Sequence, residues 1–257
     1  MDDVLFEQEG AVGRLILNRP EKRNALSLAV MNAVTERLAQ IAADRSVQVL
    51  VLSGNGPAFC AGHDLKELTG DHDVHHYRRI FAVCSDMMAK IHQLPQPVIA
   101  QVHGIATAAG CQLVAACDLA VAEEGARFAT PGITIGLFCT TPMVPLVRAV
   151  GRRRALEMLF SGRFVSAREA EHFGLVNRVV APDRLADETT EWARQLAQFS
   201  PFTMATGKRA FYAQVDLDEA AAYRYAQEIM ISNCLAEDAQ EGMSAFLEKR
   251  SPVWKGR

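Results

Sequence analysis

The 257-residue sequence has no surplus of basic charge: 27 Lys and Arg stand against 30 Asp and Glu, a formal net charge of −3. Without excess cations to displace counterions from a phosphate backbone, the composition argues against nucleic acid as a partner. No apolar run approaches the roughly 20 residues of a membrane span, so none is expected. The opening MDDVLFEQEGAVG is acidic and resembles neither a secretory leader nor an Arg-rich transit sequence, which points to the cytoplasm. The six cysteines, at 60, 84, 111, 117, 139 and 234, lack the paired spacing of a metal site or a disulfide framework, and are expected to be reduced. With 49% hydrophobic and 22% charged residues, the chain has the balance of one globular unit with an ample core.

What the sequence does contain is a strand–turn–helix unit made twice. In VIAQVHGIATAAGCQLVAACD, from Val98 to Asp118, a β-branched run leads through His103-Gly104 and small residues into an Ala-rich helical stretch. Upstream, Val47 to Leu52 reads as a buried strand that empties into SGNGPAFCAGHDLKEL, with a helix start near Asp64. Small residues at such bends let a helix pack closely on a sheet. They also let a ligand approach the backbone, where a helix start offers unpaired N–H groups. Two such donors converging on one carbonyl oxygen form an oxyanion hole, the main device for stabilising charge on a thioester.

Around these units the pattern is α/β. Val4 to Gln8 and Val12 to Leu17 read as a hairpin, and Ser27 caps a helix whose apolar face is Leu28, Met31, Val34, Leu38 and Ile41. A helix is expected from Tyr77 to Leu94, a strand from Leu119 to Ala122, and an extended segment from Arg127 to Ile133 that turns at Pro131-Gly132. Gly151 divides two helices, Ser166 and Glu169 form a capping box, and Val176 to Val180 reads as a last short strand. From Pro182 onward the pattern is helical. The organisation expected is a core over 1–195 carrying the site and a C-terminal helical region over 196–257, within one structural unit.

Asn24-Ala25-Leu26, Phe59 to Leu65, His103-Gly104, Gly110-Cys111 and Cys117-Asp118 together resemble the enoyl-CoA hydratase/isomerase (crotonase) family over almost the whole chain. The resemblance implies a ClpP/crotonase fold of stacked β-sheets with surrounding helices. It also implies a helical C-terminal oligomerisation region and a homotrimer or dimer of trimers. It implies an acyl-CoA thioester as the small-molecule substrate, coenzyme A entering as part of that substrate, and no separate cofactor or metal. By position, the oxyanion donors are the backbone N–H groups of His63 and Ala109. Arg23, Ala25, Ala61, Asp64, Leu65 and Lys66 fall on the coenzyme A path, as do Phe246 and Lys249, in many relatives from the adjacent subunit.

The family's hydratases use two glutamates, and the resemblance places them at Gln112 and Gly132. A glutamine amide orients water without taking its proton, and glycine has no side chain to offer. His76 is a candidate replacement base, by a similarity of position to the histidine of the family's dehalogenases; their aspartate nucleophile falls at Thr140. His103, Cys139 and Thr140 are further polar candidates. Asp71, His72, Asp73, His75 and His76 read as a solvated loop entering a helix, since no second ligand set follows at helical spacing. Alanines at 108 and 109 argue against a serine peptidase. Three readings stay open: a hydratase- or isomerase-type lyase of fatty acid metabolism with an unconventional base, an acyl-CoA binding protein with little turnover, and a scaffold.

Overall fold

The computed structural model describes residues 2–257. Strands β1 (Val4–Glu9) and β2 (Val12–Leu17) form the expected antiparallel hairpin, turning where Gly10 takes a positive φ of 58°. Helix α1 (Leu28–Ala43) starts at Ser27, whose hydroxyl accepts from the Val30 N–H and buries Val30, Met31, Val34, Leu38 and Ile41. Then come β3 (Val49–Gly54), the short α2 (Leu65–Gly70) and α3 (Val74–Gln93). Helix α3 begins three residues before the expected Tyr77, because the Asp73 carboxylate accepts from the His75 and His76 N–H groups and caps it there.

The centre of the chain comprises β4 (Val98–Val102), β5 (Ile105–Thr107), α4 (Ala109–Ala116), β6 (Leu119–Glu123) and β7 (Arg127–Ala129). The extended segment ends at Ala129, and the turn expected at Pro131-Gly132 is present. Pro131 has no N–H to continue a ladder, and Pro131–Ile135 coils into a 3-10 turn closed by Leu137 N–H on the Gly132 carbonyl. Helix α5 (Met143–Ser161) is broken at Gly151, with φ 76° and ψ 165°, where the sequence places a boundary. Next are β8 (Val165–Ser166), α6 (Ala167–Phe173) with its Ser166–Glu169 capping box, and β9 (Arg178–Val180). Four helices close the chain: α7 (Leu185–Leu196), α8 (Pro201–Gln214), α9 (Glu219–Cys234) and α10 (Glu237–Glu248).

Six strands form one sheet in the order β1-β2-β3-β4-β6-β9, parallel after the first pair, and β5-β7-β8 form a second. Strand β3 is buried on both faces, which explains its unbroken apolar run. Leu50 and Leu52 face a core shared with α1, α3, α4 and α5, while Val49 and Val51 face Leu185 and Ala193 of α7. The chain changes sheets between β4 and β5, at Gly104. There φ is +58° and a Cβ would lie 2.3 Å from the Pro57 carbonyl oxygen, so only glycine allows the bend.

A buried charge pair joins α8 to this core. Lys208 Nζ donates to Asp118 Oδ2 at 2.6 Å and to the carbonyls of Ile91 and Gln96, and Tyr212 donates to Asp118 Oδ1 at 2.8 Å. Asp118 Oδ2 also accepts from Val98 N–H at the head of β4. Burial lowers the Lys208 pKa, against the opposing pull of Asp118. The ring of His92 stacks on Tyr212 at 4.0 Å.

Candidate active site

The first cradle is the loop between β3 and α2, held from both sides. Cys60 N–H donates to Ile105 O and Cys60 O accepts from Thr107 N–H, so the loop runs as an extra strand beside β5. On its other side Leu26 N–H donates to Gly62 O at 2.8 Å and Asp64 N–H to Leu26 O at 3.1 Å. In extended chain, alternate peptide groups point opposite ways. Gly62 and Asp64 face Leu26, so the His63 N–H is turned away from it and finds no partner in the chain. Asn24, almost wholly buried, braces the loop: Nδ2 donates to the carbonyls of Asn55 and Ala58, and Oδ1 accepts from Arg19 N–H.

The second cradle is the start of α4. Ala108 has φ 51° and ψ −118°, a conformation that costs a non-glycine residue about 1–3 kcal/mol. Its own N–H is held by the Ala129 carbonyl at 2.9 Å, and its carbonyl accepts the first helical bond, from Gln112 N–H. The Ala109 N–H is thereby left unpaired at the positive end of the helix. The two cradles abut. A Cβ on Gly62 would lie 2.9 Å from Ala108 Cβ and 3.3 Å from Ala109 N, and a Cβ on Gly110 would lie 2.1 Å from the Cys60 carbonyl oxygen. The small residues therefore pack the helix closely and set the loop that carries the His63 N–H against the helix start that carries the Ala109 N–H.

The side-chain half of the site is different. Gln112 lies one turn into α4, 3% exposed, and its Oε1 is buried with no hydrogen-bond partner. The Gly132 position is closed. A Cβ there would meet the Leu137 carbonyl oxygen at 2.8 Å and Cys139 Sγ at 2.9 Å, so the 137–139 segment occupies the space a larger side chain needs. Burial raises the Cys139 pKa and keeps the thiol protonated near neutrality. Cys60 and Cys111 beneath the cradles are pushed up to about 12 by burial and are inert. The His63 ring lies edge-on to Phe81 at 5.5 Å with both nitrogens unpaired, and desolvation lowers its pKa, so the imidazole is neutral at pH 7.

The other named residues fall into two groups. Arg23, Ala25, Ala61, Asp64, Leu65 and Lys66 lie together: Ala61 N–H donates to Arg23 O, Asp64 caps α2 through Lys66 N–H, and Arg19 pairs with Asp64 at 3.7 Å. Leu65 and Lys66 are exposed. Phe246, 84% exposed, and Lys249, which caps α10 with φ 56°, sit on a helix that packs on α8 and α9, away from that loop. His76 places Nε2 3.0 Å from the Glu67 carbonyl, and Tyr77 donates to Leu68 O, so both hold α2 against α3. His103 places Nε2 2.8 Å from the Gly56 carbonyl, tying the two loops. Among the described residues no group of three His, Cys, Asp or Glu is placed to hold a metal ion.

Sequence reasoning missed the obstruction at Gly132, the strain at Ala108 and Glu67, whose carboxylate accepts from Leu28 N–H at the start of α1. Thr107, whose hydroxyl donates to Ala61 O, was missed as well. No sequence signal marks the first, because residues 137–139 lie near in sequence without any pattern that says which way the turn folds.

Comparison with known proteins decides the family. The model described as enoyl-CoA hydratase/isomerase matches residues 7–257. The chain belongs to that family. It is 50% identical to an enoyl-CoA hydratase of Mycobacterium smegmatis of known structure, with a TM-score of 0.97 and 99% of each chain covered. The human enoyl-CoA hydratase domain-containing protein 3 structure is 44% identical, with a TM-score of 0.95 over 98% of this chain and 100% of that one. The rat mitochondrial protein of the same description is 45% identical over 96% of this chain and 82% of its own length. The family resemblance and the crotonase fold expected from the sequence are both borne out. No helix among the described residues is long and apolar enough to cross a membrane.

Proposed function

We propose that this member of the enoyl-CoA hydratase/isomerase family binds an acyl-CoA thioester with its carbonyl oxygen between the His63 and Ala109 N–H groups. The observation that carries this reading is the close contact, at Gly62 and Gly110, of the two loops that carry these unpaired donors. Each donor of an oxyanion hole contributes about a hundredfold or more to reactions that place negative charge on that oxygen. Arg23, Ala25, Ala61, Asp64, Leu65 and Lys66 would line the coenzyme A path, with Phe246 and Lys249 reaching it from a neighbouring subunit. Coenzyme A would be part of the substrate, and no further cofactor is proposed.

The reaction class is that of a lyase or isomerase acting through an enolate, and hydration of a 2-enoyl thioester in fatty acid metabolism is the family's reaction. Hydration also needs a base for water and an acid for the α carbon, each contributing roughly a hundredfold to ten-thousandfold. Gln112 supplies neither, and at Gly132 there is no side chain and no room for one. That obstruction favours the second reading, an acyl-CoA binding protein with little hydratase turnover. His76, proposed from sequence as a replacement base, would have only Nδ1 to offer, since Nε2 faces the Glu67 carbonyl.

A trimer or dimer of trimers would cover the exposed Phe211, Met230, Leu235, Phe246 and Leu247 of the last three helices. A reducing compartment such as the cytoplasm suits six free cysteines, whereas the animal relatives are described as mitochondrial.

The test pairs titration of butyryl-CoA and free coenzyme A with an absorbance assay on crotonyl-CoA. Binding of butyryl-CoA more tightly than coenzyme A, with crotonyl-CoA hydration at most a hundredth of that of a relative with both glutamates, is the expected outcome. Equal affinity for the two ligands would remove the cradle from the reading. Fast hydration would mean a replacement base exists. A monomeric mass by light scattering would remove the trimer.

A further inference from the structure

The side chain of His63 is attached to one of the two cradle donors, and no group in the chain hydrogen-bonds to it. Both ring nitrogens are buried without a partner, and the ring stands edge-on to Phe81 of α3. A buried polar atom left alone costs as much as a lost hydrogen bond, so native chains satisfy nearly all of theirs, and an exception calls for water or a catalytic role. Resting on the reading that the cradle holds a thioester carbonyl, we propose that His63 is the catalytic base of this site, its ring taking an α proton from the bound acyl thioester.

Covalent geometry joins the ring to the cradle. With the carbonyl oxygen on the His63 N–H, the α carbon is bonded to the carbonyl carbon itself, and a histidine's ring nitrogens lie roughly 3–6 Å from its own peptide nitrogen. The ring turns towards α3, where Phe81 is 37% exposed, so it lies one side chain beneath the surface. By contrast, His76 faces the Glu67 carbonyl and His103 the Gly56 carbonyl through Nε2, and neither is attached to a cradle donor.

Desolvation is the larger cause of the lowered His63 pKa, opposed by the Leu26 carbonyl, so the ring is neutral at pH 7 and carries one lone-pair nitrogen. The titratable groups on the elements packed against it leave it in that state. Asp64 is turned to Lys66 N–H and Arg19, Glu67 to Leu28 N–H and Tyr77 to the Leu68 carbonyl, and the Cys84 thiol pKa is pushed up to about 12 by burial. In the step itself the Cα–H electron pair becomes the double bond of the enolate and the carbonyl pair moves onto the oxygen between the His63 and Ala109 N–H groups, while the proton passes to the ring. The imidazolium exchanges that proton with water and returns another to the α carbon. Hydration needs a second group to activate water, which the Gly132 position has no room to hold; this transfer needs only one.

Deuterium exchange at the α carbon of butyryl-CoA, followed by NMR with the full chain at saturating ligand, tests it, with affinities for butyryl-CoA and free coenzyme A from calorimetry. Wild type is expected to exchange the α protons at a rate that is flat above about pH 6.5 and falls below it as the ring protonates. His63→Gln, which keeps the backbone donor, is expected to slow exchange about a hundredfold or more, the usual share of a general base. Cooperative thermal unfolding checks its folding, and if it fails to fold, the wild-type pH profile decides alone. Tight butyryl-CoA binding without exchange would overturn the assignment and leave the cradle in place, with water satisfying the ring. Exchange at the wild-type rate in His63→Gln, or a wild-type rate proportional to hydroxide between about pH 7 and 9, would overturn it too, by placing the base elsewhere. Butyryl-CoA binding no more tightly than free coenzyme A would instead remove the cradle reading on which the proposal rests.

Discussion

At the centre of this molecule two N–H groups, on His63 and Ala109, sit beside two positions, Gln112 and Gly132, where the family resemblance expects carboxylates. The first pair is intact down to the glycines that let the loops touch. The second pair carries an amide and a space closed by Leu137 and Cys139. A backbone donor survives any change of side chain that leaves the fold in place, as histidine at 63 illustrates. A side-chain carboxylate depends on one residue and on the space around it, and at Gly132 that space is filled by Leu137 and Cys139.

The severest way to break the backbone half is Gly110→Ala. The new Cβ would lie 2.1 Å from the Cys60 carbonyl oxygen, with backbone on both sides and nothing flexible to yield. Overpacking typically costs about 1–3 kcal/mol, and this site belongs at the upper end or beyond. Denaturant unfolding should show that loss together with loss of butyryl-CoA binding; an unchanged midpoint would mean the two cradles are not in contact.

The side-chain half is probed by Gly132→Glu combined with Gln112→Glu. Both carboxylates would then be present in sequence, yet the Leu137 carbonyl at 2.8 Å from the new Cβ is backbone that no side-chain trimming removes. The double variant is expected to lose about 1–3 kcal/mol of stability and to gain no crotonyl-CoA hydration. Turnover rising a hundredfold or more would show that the loop readily moves aside, and would erase the contrast between the halves.

The smallest effect concerns His63, whose backbone belongs to one half and whose ring borders the other. Desolvation lowers its folded pKa below the ordinary value near 6.5, so the unfolded chain binds its proton first as pH falls. The ring's contribution to stability is complete above about pH 6.5 and is lost as pH drops through the lowered folded value. His92, shifted the same way chiefly by burial, adds to the trend. His63→Gln should flatten part of the decline in unfolding free energy between pH 7 and 5. An identical slope in wild type and variant would mean the ring is hydrated.

Much of the frame is legible in the sequence. The Ser27 cap, the Ser166–Glu169 box, the break at Gly151 and the hairpin turning at Gly10 each rest on bonds between near neighbours, which local sequence encodes. The sequence places the start of α3 three residues late, because two aspartates, 71 and 73, precede it and only the second caps the helix. The sequence marks a turn at Pro131-Gly132 but not the coil over 131–135, which is fixed by a bond from Leu137, beyond the window that periodicity covers. At the site, the donor positions were legible as small residues at two bends. Neither the strain at Ala108 nor the filling of Gly132's space was legible, since both depend on where Ala129 and Cys139 come to lie in three dimensions.

Asp118 ties the architecture to a single fate. Its carboxylate closes the base of the unit that carries Ala109, through Val98 N–H, and at the same time receives Lys208 and Tyr212 from α8. A buried carboxylate stripped of its lysine is strongly destabilising, because the remaining charge has no water to take its partner's place. Helix α8 therefore supplies the counter-ion for the unit that carries Ala109. Core and helical tail, separable on paper at residue 195, are therefore expected to melt as one unit.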